Sequence, residues 1–213
     1  MKAVIAGSSG LVGSELLKKL LSDSRFSHVI AITRKPLFIQ NEKLQEVLIQ
    51  DIGNLFQHTN ELKGTHYFCC LGTTIKSAGS RANFRKIDYD AAHTFATIAK
   101  QYEAESFSLI SASGANTSSS VFYSRIKGEI EAALIILQLK KLAIFRPGLL
   151  IGERTEFRMG EKIALTSLKL MHRLIPASIK KRFATDVNTL VRKILEETYK
   201  QSSGVKILEA NDI

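Results

Sequence analysis

An apolar run, Lys2 to Ala6, passes directly into Gly7-Ser8-Ser9-Gly10-Leu11-Val12-Gly13, and from Gly10 to Leu21 the leucines recur at helical spacing. A strand that turns through glycines into a helix brings its backbone close to whatever lies at the helix start. The first glycine permits the tight turn, and the first amides of the helix have no partners within it. A dinucleotide's diphosphate meets that demand, and Gly7, Ser9, Gly10, Leu11, Val12 and Gly13 are the expected contacts.

The same alternation continues along the chain. Strand-like runs stand at His28 to Ile32, Leu44 to Ile49, His66 to Leu71, Ser106 to Ser111, Leu142 to Arg146 and Val205 to Glu209, with helical stretches at Arg81 to Tyr102 and Val121 to Lys140. Seven strands with helical crossovers predict an α/β protein: a doubly wound, mostly parallel sheet of the Rossmann type. Residues 152–203 break the rhythm, with helices expected over Phe157 to Leu174 and Asp186 to Lys200, and form a small substrate-covering segment within a single domain, 1–213. In the serine-rich stretch Ser111 to Ser120, Ser119 or Ser120 is expected to cap the following helix.

Composition narrows the partners. No apolar run approaches the roughly 18 residues of a membrane-spanning helix, so no integral membrane segment is expected. The net charge of +10 admits an anionic ligand, but neither an aromatic platform nor a recognition motif supports nucleic acid. Residues 154–200 hold eleven Lys or Arg against five Asp or Glu. There, Ala164, Leu168, Met171 and Ile175 share a helical face ahead of Lys180-Lys181-Arg182, a pattern open to another subunit, an acidic substrate or a membrane surface, and most simply a solvated rim over a core helix. A homodimer is one expectation. The two cysteines, Cys69 and Cys70, are adjacent and serve packing, and the five histidines lack metal-ligand spacing, so no metal is expected. The short apolar start and the cysteine usage predict a cytoplasmic protein.

The end of the second strand distinguishes the dinucleotides. An acidic residue about 20 positions past the glycines would bind the ribose 2′-hydroxyl of NAD. This chain has Thr33-Arg34-Lys35 instead, a guanidinium and an ammonium suited to a phosphate, so NADP(H) is expected in preference to NAD(H).

Tyr123 and Lys127, at i and i+4, share one face of the helix that starts near Val121. A free phenol titrates near pH 10, and an adjacent ammonium and an oxidised nicotinamide both favour phenolate, which makes Tyr123 a candidate acid/base. Ser111, at the end of the preceding strand, is the favoured hydrogen-bond donor to the substrate oxygen, with Ser113 the alternative.

Phe68 to Thr74 (FCCLGTT), Phe84 to Asp88 (FRKID), Phe122 to Glu129 (FYSRIKGE), and Phe145 to Gly148 (FRPG) followed by Gly152-Glu153-Arg154 resemble the short-chain dehydrogenase/reductase superfamily, in its atypical branch that includes the Tat-interacting-protein-like oxidoreductases. The resemblance implies that Gly7, Gly10 and Gly13 take the diphosphate and Thr33 to Lys35 the adenosine phosphate. It places Asp51 and Ile52 beside the adenine, Leu71, Gly72 and Thr73 beneath the nicotinamide, and Pro147 with Leu149 at its border. Lys127 would also hold the ribose. The classical branch of the superfamily carries Asn-Asn-Ala-Gly where this chain has Cys70-Leu71-Gly72-Thr73, and the asparagine often found on the next helix corresponds to Asp88. The implied activity is hydride transfer between NADP(H) and a small carbonyl or alcohol substrate, with Tyr123 passing the proton. The alternative is an NADPH-binding regulatory or scaffold protein with little turnover.

Overall fold

The computed structural model describes residues 1–151 and 184–213. In chain order its strands are β1 (Lys2–Ala6), β2 (His28–Thr33), β3 (Leu44–Leu48), β4 (His66–Cys69), β5 (Ser106–Ile110), β6 (Lys141–Arg146), β7 (Leu149–Ile151), β8 (Ala184–Asp186) and β9 (Gly204–Glu209). The helices are α1 (Leu11–Ser22), the short α2 (Ile75–Ala78), α3 (Arg81–Arg85), α4 (Ala91–Gln101), α5 (Phe122–Ile136) and α6 (Val187–Tyr199), with a 3₁₀ helix at Ile52–Leu62.

Seven of these strands form one sheet ordered β3-β2-β1-β4-β5-β6-β9, and every neighbouring pair is parallel. Side chains alternate across it as strand geometry requires. Val4 and Ala6 of β1 face one core, with Leu55, Phe95 and Ile130 from the 3₁₀ helix, α4 and α5. Ala3 and Ile5 face the other, with Leu16, Leu17 and Leu20 of α1 and Leu190, Val191 and Ile194 of α6. The leucines of α1 fall on its inner face at i, i+1 and i+4, and each contributes roughly 2 kcal/mol by leaving water.

Three local expectations differ from what forms. The stretch from Arg81 onward is not one α-helix, since a π-helical turn, Lys86–Asp90, separates α3 from α4. Neither Ser119 nor Ser120 is the cap of α5. That position is Val121, whose side chain cannot accept a hydrogen bond, while the Ser119 hydroxyl accepts from the Val121 amide at 3.1 Å, just outside the helix. The parallel pair β7–β8 was not anticipated. The expected helix Phe157 to Leu174, its apolar face and Lys180-Lys181-Arg182 lie outside the described residues, as does most of the 152–203 segment. Its Asp186 to Lys200 helix forms as α6, where the Asp186 carboxylate accepts from the Thr189 amide at 2.9 Å. No helix of the described residues is long and apolar enough to cross a membrane.

Candidate active site

The strand order reverses between β1 and β4, and open parallel sheets receive ligands at the carboxyl ends of the strands that flank such a reversal. Gly7, next after β1, has φ of 84°, and a Cβ there would lie 2.5 Å from the Cys70 carbonyl oxygen, next after β4. A Cβ on Gly13 would lie 2.1 Å from the Gly7 carbonyl oxygen. Backbone cannot move aside cheaply, so both positions require glycine. The Gly10 amide closes the turn by donating to the Gly7 carbonyl at 3.0 Å, and Gly10 caps α1 with no side chain to occupy the helix amides. Val12 and Gly13 are buried, Ser9 and Leu11 half-buried, and Gly10 exposed. Ser8, not among the expected contacts, ties the turn to β2 by donating to the Ile32 carbonyl at 3.0 Å.

At the end of β2 the buried Thr33 donates its hydroxyl to the Lys35 carbonyl at 2.7 Å, which folds a turn and leaves Arg34 and Lys35 exposed. Asp51 accepts from the Gly53 amide at 2.9 Å and meets Lys86 Nζ at 2.9 Å. The Lys86 bond, with the amide second, holds its carboxyl below the usual range. Ile52 packs half-buried against the core.

The loop after β4 joins this turn to the helix residues. Leu71 and Thr73 are half-buried and Gly72 is exposed. A Cβ on Gly72 would stand 3.8 Å from Asp88 Oδ1 and 3.9 Å from Lys127 Nζ, while the Thr73 amide donates to Asp88 Oδ2 at 3.0 Å. Asp88 belongs to the π-helical turn, a wide turn of the kind that recurs at functional sites. Lys127 Nζ lies 2.7 Å from Asp88 Oδ1, the two side chains being 5% and 0% exposed. The contact falls outside hydrogen-bond alignment, so Oδ1 has no hydrogen-bond partner among the described residues. Burial pushes the Asp88 carboxyl up, and Lys127 and the Thr73 amide pull it back. Desolvation works against the Lys127 ammonium, but Asp88, Tyr123 and Cys69 together outweigh it and Lys127 titrates above its ordinary value.

Tyr123 stands one turn before Lys127, half-buried, its ring 5.7 Å from that of Phe84. Two of the segments that carry the resemblance pack on each other: Phe84 also meets Phe122 at 5.7 Å, and Arg85 pairs with Glu129 at 2.5 Å. A Cβ on Gly128 would lie 2.4 Å from backbone atoms of Asn116 and Thr117. Only glycine lets α5 lie this close to the serine-rich loop, a requirement the sequence reading missed although Gly128 follows Lys127 directly.

The structure places Ser111 away from an open position. Its hydroxyl is buried and donates to Glu131 Oε1, and that carboxylate is clasped by Arg146 Nη2 at 2.6 Å. Ser113 is exposed, and its amide donates to the carbonyl of buried Pro147 at 2.9 Å. Pro147 thus meets the serine-rich loop, and Leu149 is 44% exposed on β7. Nothing in the sequence marked Glu131 or Arg146 except their charge within apolar stretches. Burial pushes the Cys69 thiol up to about 12 and raises that of Cys70 as well, in keeping with packing roles. Among the described residues no three His, Cys, Asp or Glu side chains cluster as metal ligands. A cavity of about 590 Å³ between α1 and α6, lined by Arg25, Arg192 and Tyr199 among others, shares none of these residues.

No protein-family model matches the chain. Protein HTATIP2 of Rattus norvegicus is 35% identical over 209 residues, which span 96% of this chain and 84% of that protein. The chain belongs to the HTATIP2 family. The mitochondrial protein FMP52 of Debaryomyces hansenii is 39% identical over 156 residues, 72% of this chain and 69% of its own, and that of Saccharomyces cerevisiae is 36% identical over 162 residues, 75% and 70%. The HTATIP2 family and its FMP52 relatives are atypical short-chain dehydrogenase/reductase proteins. Among solved structures, MoeE5 in complex with UDP-glucose and NAD matches at TM-score 0.73 and 15% identity, over 98% of this chain and 75% of that one. The Bordetella bronchiseptica enzyme WbmH in complex with NAD+ matches at 0.74 and 15%, over 98% and 75%. What this chain shares with them is the Rossmann-like fold, a parallel sheet flanked by helices. The expectation of a cytoplasmic location is overturned, because the FMP52 relatives are named mitochondrial.

Proposed function

We propose that the protein is an NADP(H)-dependent oxidoreductase acting between a small carbonyl and its alcohol. The observation that carries the reading is the buried Lys127, one turn from Tyr123 and within 3.9 Å of a Cβ position on Gly72, in a loop that itself touches the glycine turn. The site's residues fit a dinucleotide. The tight turn that glycine alone permits at Gly7 and Gly13, and the amides of α1 that no side chain caps, suit a diphosphate. The exposed Arg34 and Lys35, in place of a carboxylate, suit a 2′-phosphate.

When bound, the nicotinamide supplies or takes the hydride. The chain's own groups do the rest. In the reducing direction the Tyr123 hydroxyl would give its proton to the carbonyl oxygen, and Lys127 would hold the ribose and steady the charge left on Tyr123. Ser113 is better placed than Ser111 to hold the carbonyl, since the Ser111 hydroxyl is already engaged by Glu131. The mitochondrial naming of the FMP52 relatives makes that compartment the one in which to look for the substrate.

The test is a thermal-shift titration with NADPH, NADP, NADH and NAD, because a ligand that binds only the folded state raises stability with the logarithm of saturation. The expected result is a larger shift with the phosphorylated pair that Arg34→Ala abolishes, followed by carbonyl turnover that Tyr123→Phe removes. No shift with any of the four would overturn the reading. Binding without turnover in a broad carbonyl screen would replace it with a cofactor-sensing protein.

A further inference from the structure

Asp88 is a carboxylate buried against the Lys127 ammonium, and it adds one unit of charge to a site from which water is excluded. Its side chain is 0% exposed and that of Lys127 5%. The groups facing the pair are Tyr123 from the same helix, Cys69 from β4 and the Thr73 amide from the loop. Unscreened charges at such a position act over several ångströms. A reduced nicotinamide ring is neutral, whereas an oxidised one carries a positive charge. A lone buried ammonium beside the ring would therefore disfavour the oxidised form, while an ammonium compensated at 2.7 Å presents no net charge.

Resting on the cofactor reading above, we propose that Asp88 sets the redox-form selectivity of this site: by cancelling the charge of Lys127 it lets the oxidised dinucleotide bind without the penalty that lysine alone would impose. Asp88 acts through Lys127 and is a positioning residue. The geometry follows from the packing of three segments. The π-helical turn delivers the carboxylate, Thr73 fixes one oxygen by its amide, and Gly72 leaves both groups facing the loop on which the ring would rest.

The experiment is titration calorimetry of the full chain with NADP and with NADPH, comparing the wild type, Asp88→Asn, and Asp88→Asn combined with Lys127→Met. Asparagine keeps the size of the side chain and an acceptor for the Thr73 amide. The expected result is that Asp88→Asn raises the ratio of the NADP to the NADPH dissociation constant by roughly tenfold, and that the double variant, again without net charge, returns the ratio to within about twofold of the wild type. A purely structural role would weaken both forms together and leave the ratio unmoved. If Asp88→Asn does not fold, Asp88→Ser, which leaves room for water, carries the same expected rise. An unchanged ratio with both forms still bound overturns the proposal and leaves the cofactor reading intact, whereas a wild type that binds neither form overturns both.

Discussion

Lys127 and Glu131 stand one turn apart on α5, each buried against a partner of opposite charge, Asp88 for the first and Arg146 for the second. Around Glu131 every polar atom is occupied. Its carboxylate accepts from the Ser111 hydroxyl, from Arg146 Nε at 3.1 Å and from Arg146 Nη2 at 2.6 Å, and Arg146 reaches on to Glu209 at 2.7 Å. The hydrogen bond to Glu131 holds the Arg146 guanidinium well above its ordinary value. That network ties β5, α5, β6 and β9 together. Around Lys127 an acceptor, Asp88 Oδ1, has no aligned donor, and the pair abuts a glycine in an exposed loop position. A closed network specifies where elements sit, and an open one leaves capacity for a ligand.

The comparison can be broken most directly at Glu131. Glu131→Ala strands the Arg146 guanidinium and is expected to cost about 3 kcal/mol of stability, at the low end for a buried pair because Arg146 is 22% exposed. Denaturant unfolding measures the loss, and the dissociation constant for NADPH of the protein that remains folded is expected to stay unchanged. A change in that constant of tenfold or more would mean that the two pairs are one network.

The serines sharpen the contrast further. Ser113→Ala is expected to lower kcat about a hundredfold, as the loss of a donor to a reacting oxygen does, with little effect on stability at an exposed position. Ser111→Ala is expected to do the reverse, costing about 1 kcal/mol with kcat unaltered. Steady-state kinetics on the carbonyl found in the screen, beside unfolding curves, would decide between them, and a kcat loss confined to Ser111→Ala would restore the reading made from the sequence.

The smallest effect concerns the far end of the same sheet. Burial lowers the pKa of His66, opposed by Glu105 at 3.6 Å. A histidine that titrates lower in the folded than in the unfolded chain contributes stability that is present in full above its unfolded value, about 6.5, and is lost as pH falls through that value toward the folded one. Unfolding free energy should therefore decline on acidification in this window, and His66→Gln should flatten the decline. An identical slope in that variant would assign the pH response elsewhere.

Much of this was legible in the chain, for reasons that differ by element. The seven strands of the main sheet were found to within about two residues, the central ones because parallel strands buried on both faces read as unbroken apolar runs, whereas the short pair β7–β8 was not. The π-helical turn escaped notice, since Arg81 to Tyr102 has the composition of a continuous helix and only the folded chain shows the widened turn, with Phe84 before it and Asp88 within it both buried. Arg34 and Lys35 were singled out by their position after β2, and both are exposed there. Ser111 was favoured for lying at the strand end, but which way a hydroxyl turns there depends on Glu131, 20 residues away.

The glycine turn, the alternation of strand and helix and the Tyr123–Lys127 spacing were determined by the sequence alone, because each depends on backbone conformation and periodicity within a few residues. The partner of Lys127, the occupation of Ser111 and the closeness of Gly128 to the serine-rich loop were decided by the tertiary structure. Each of these needs two segments distant in the chain to meet within a few ångströms, and such meetings are set by how helices seat on the sheet and not by any local pattern.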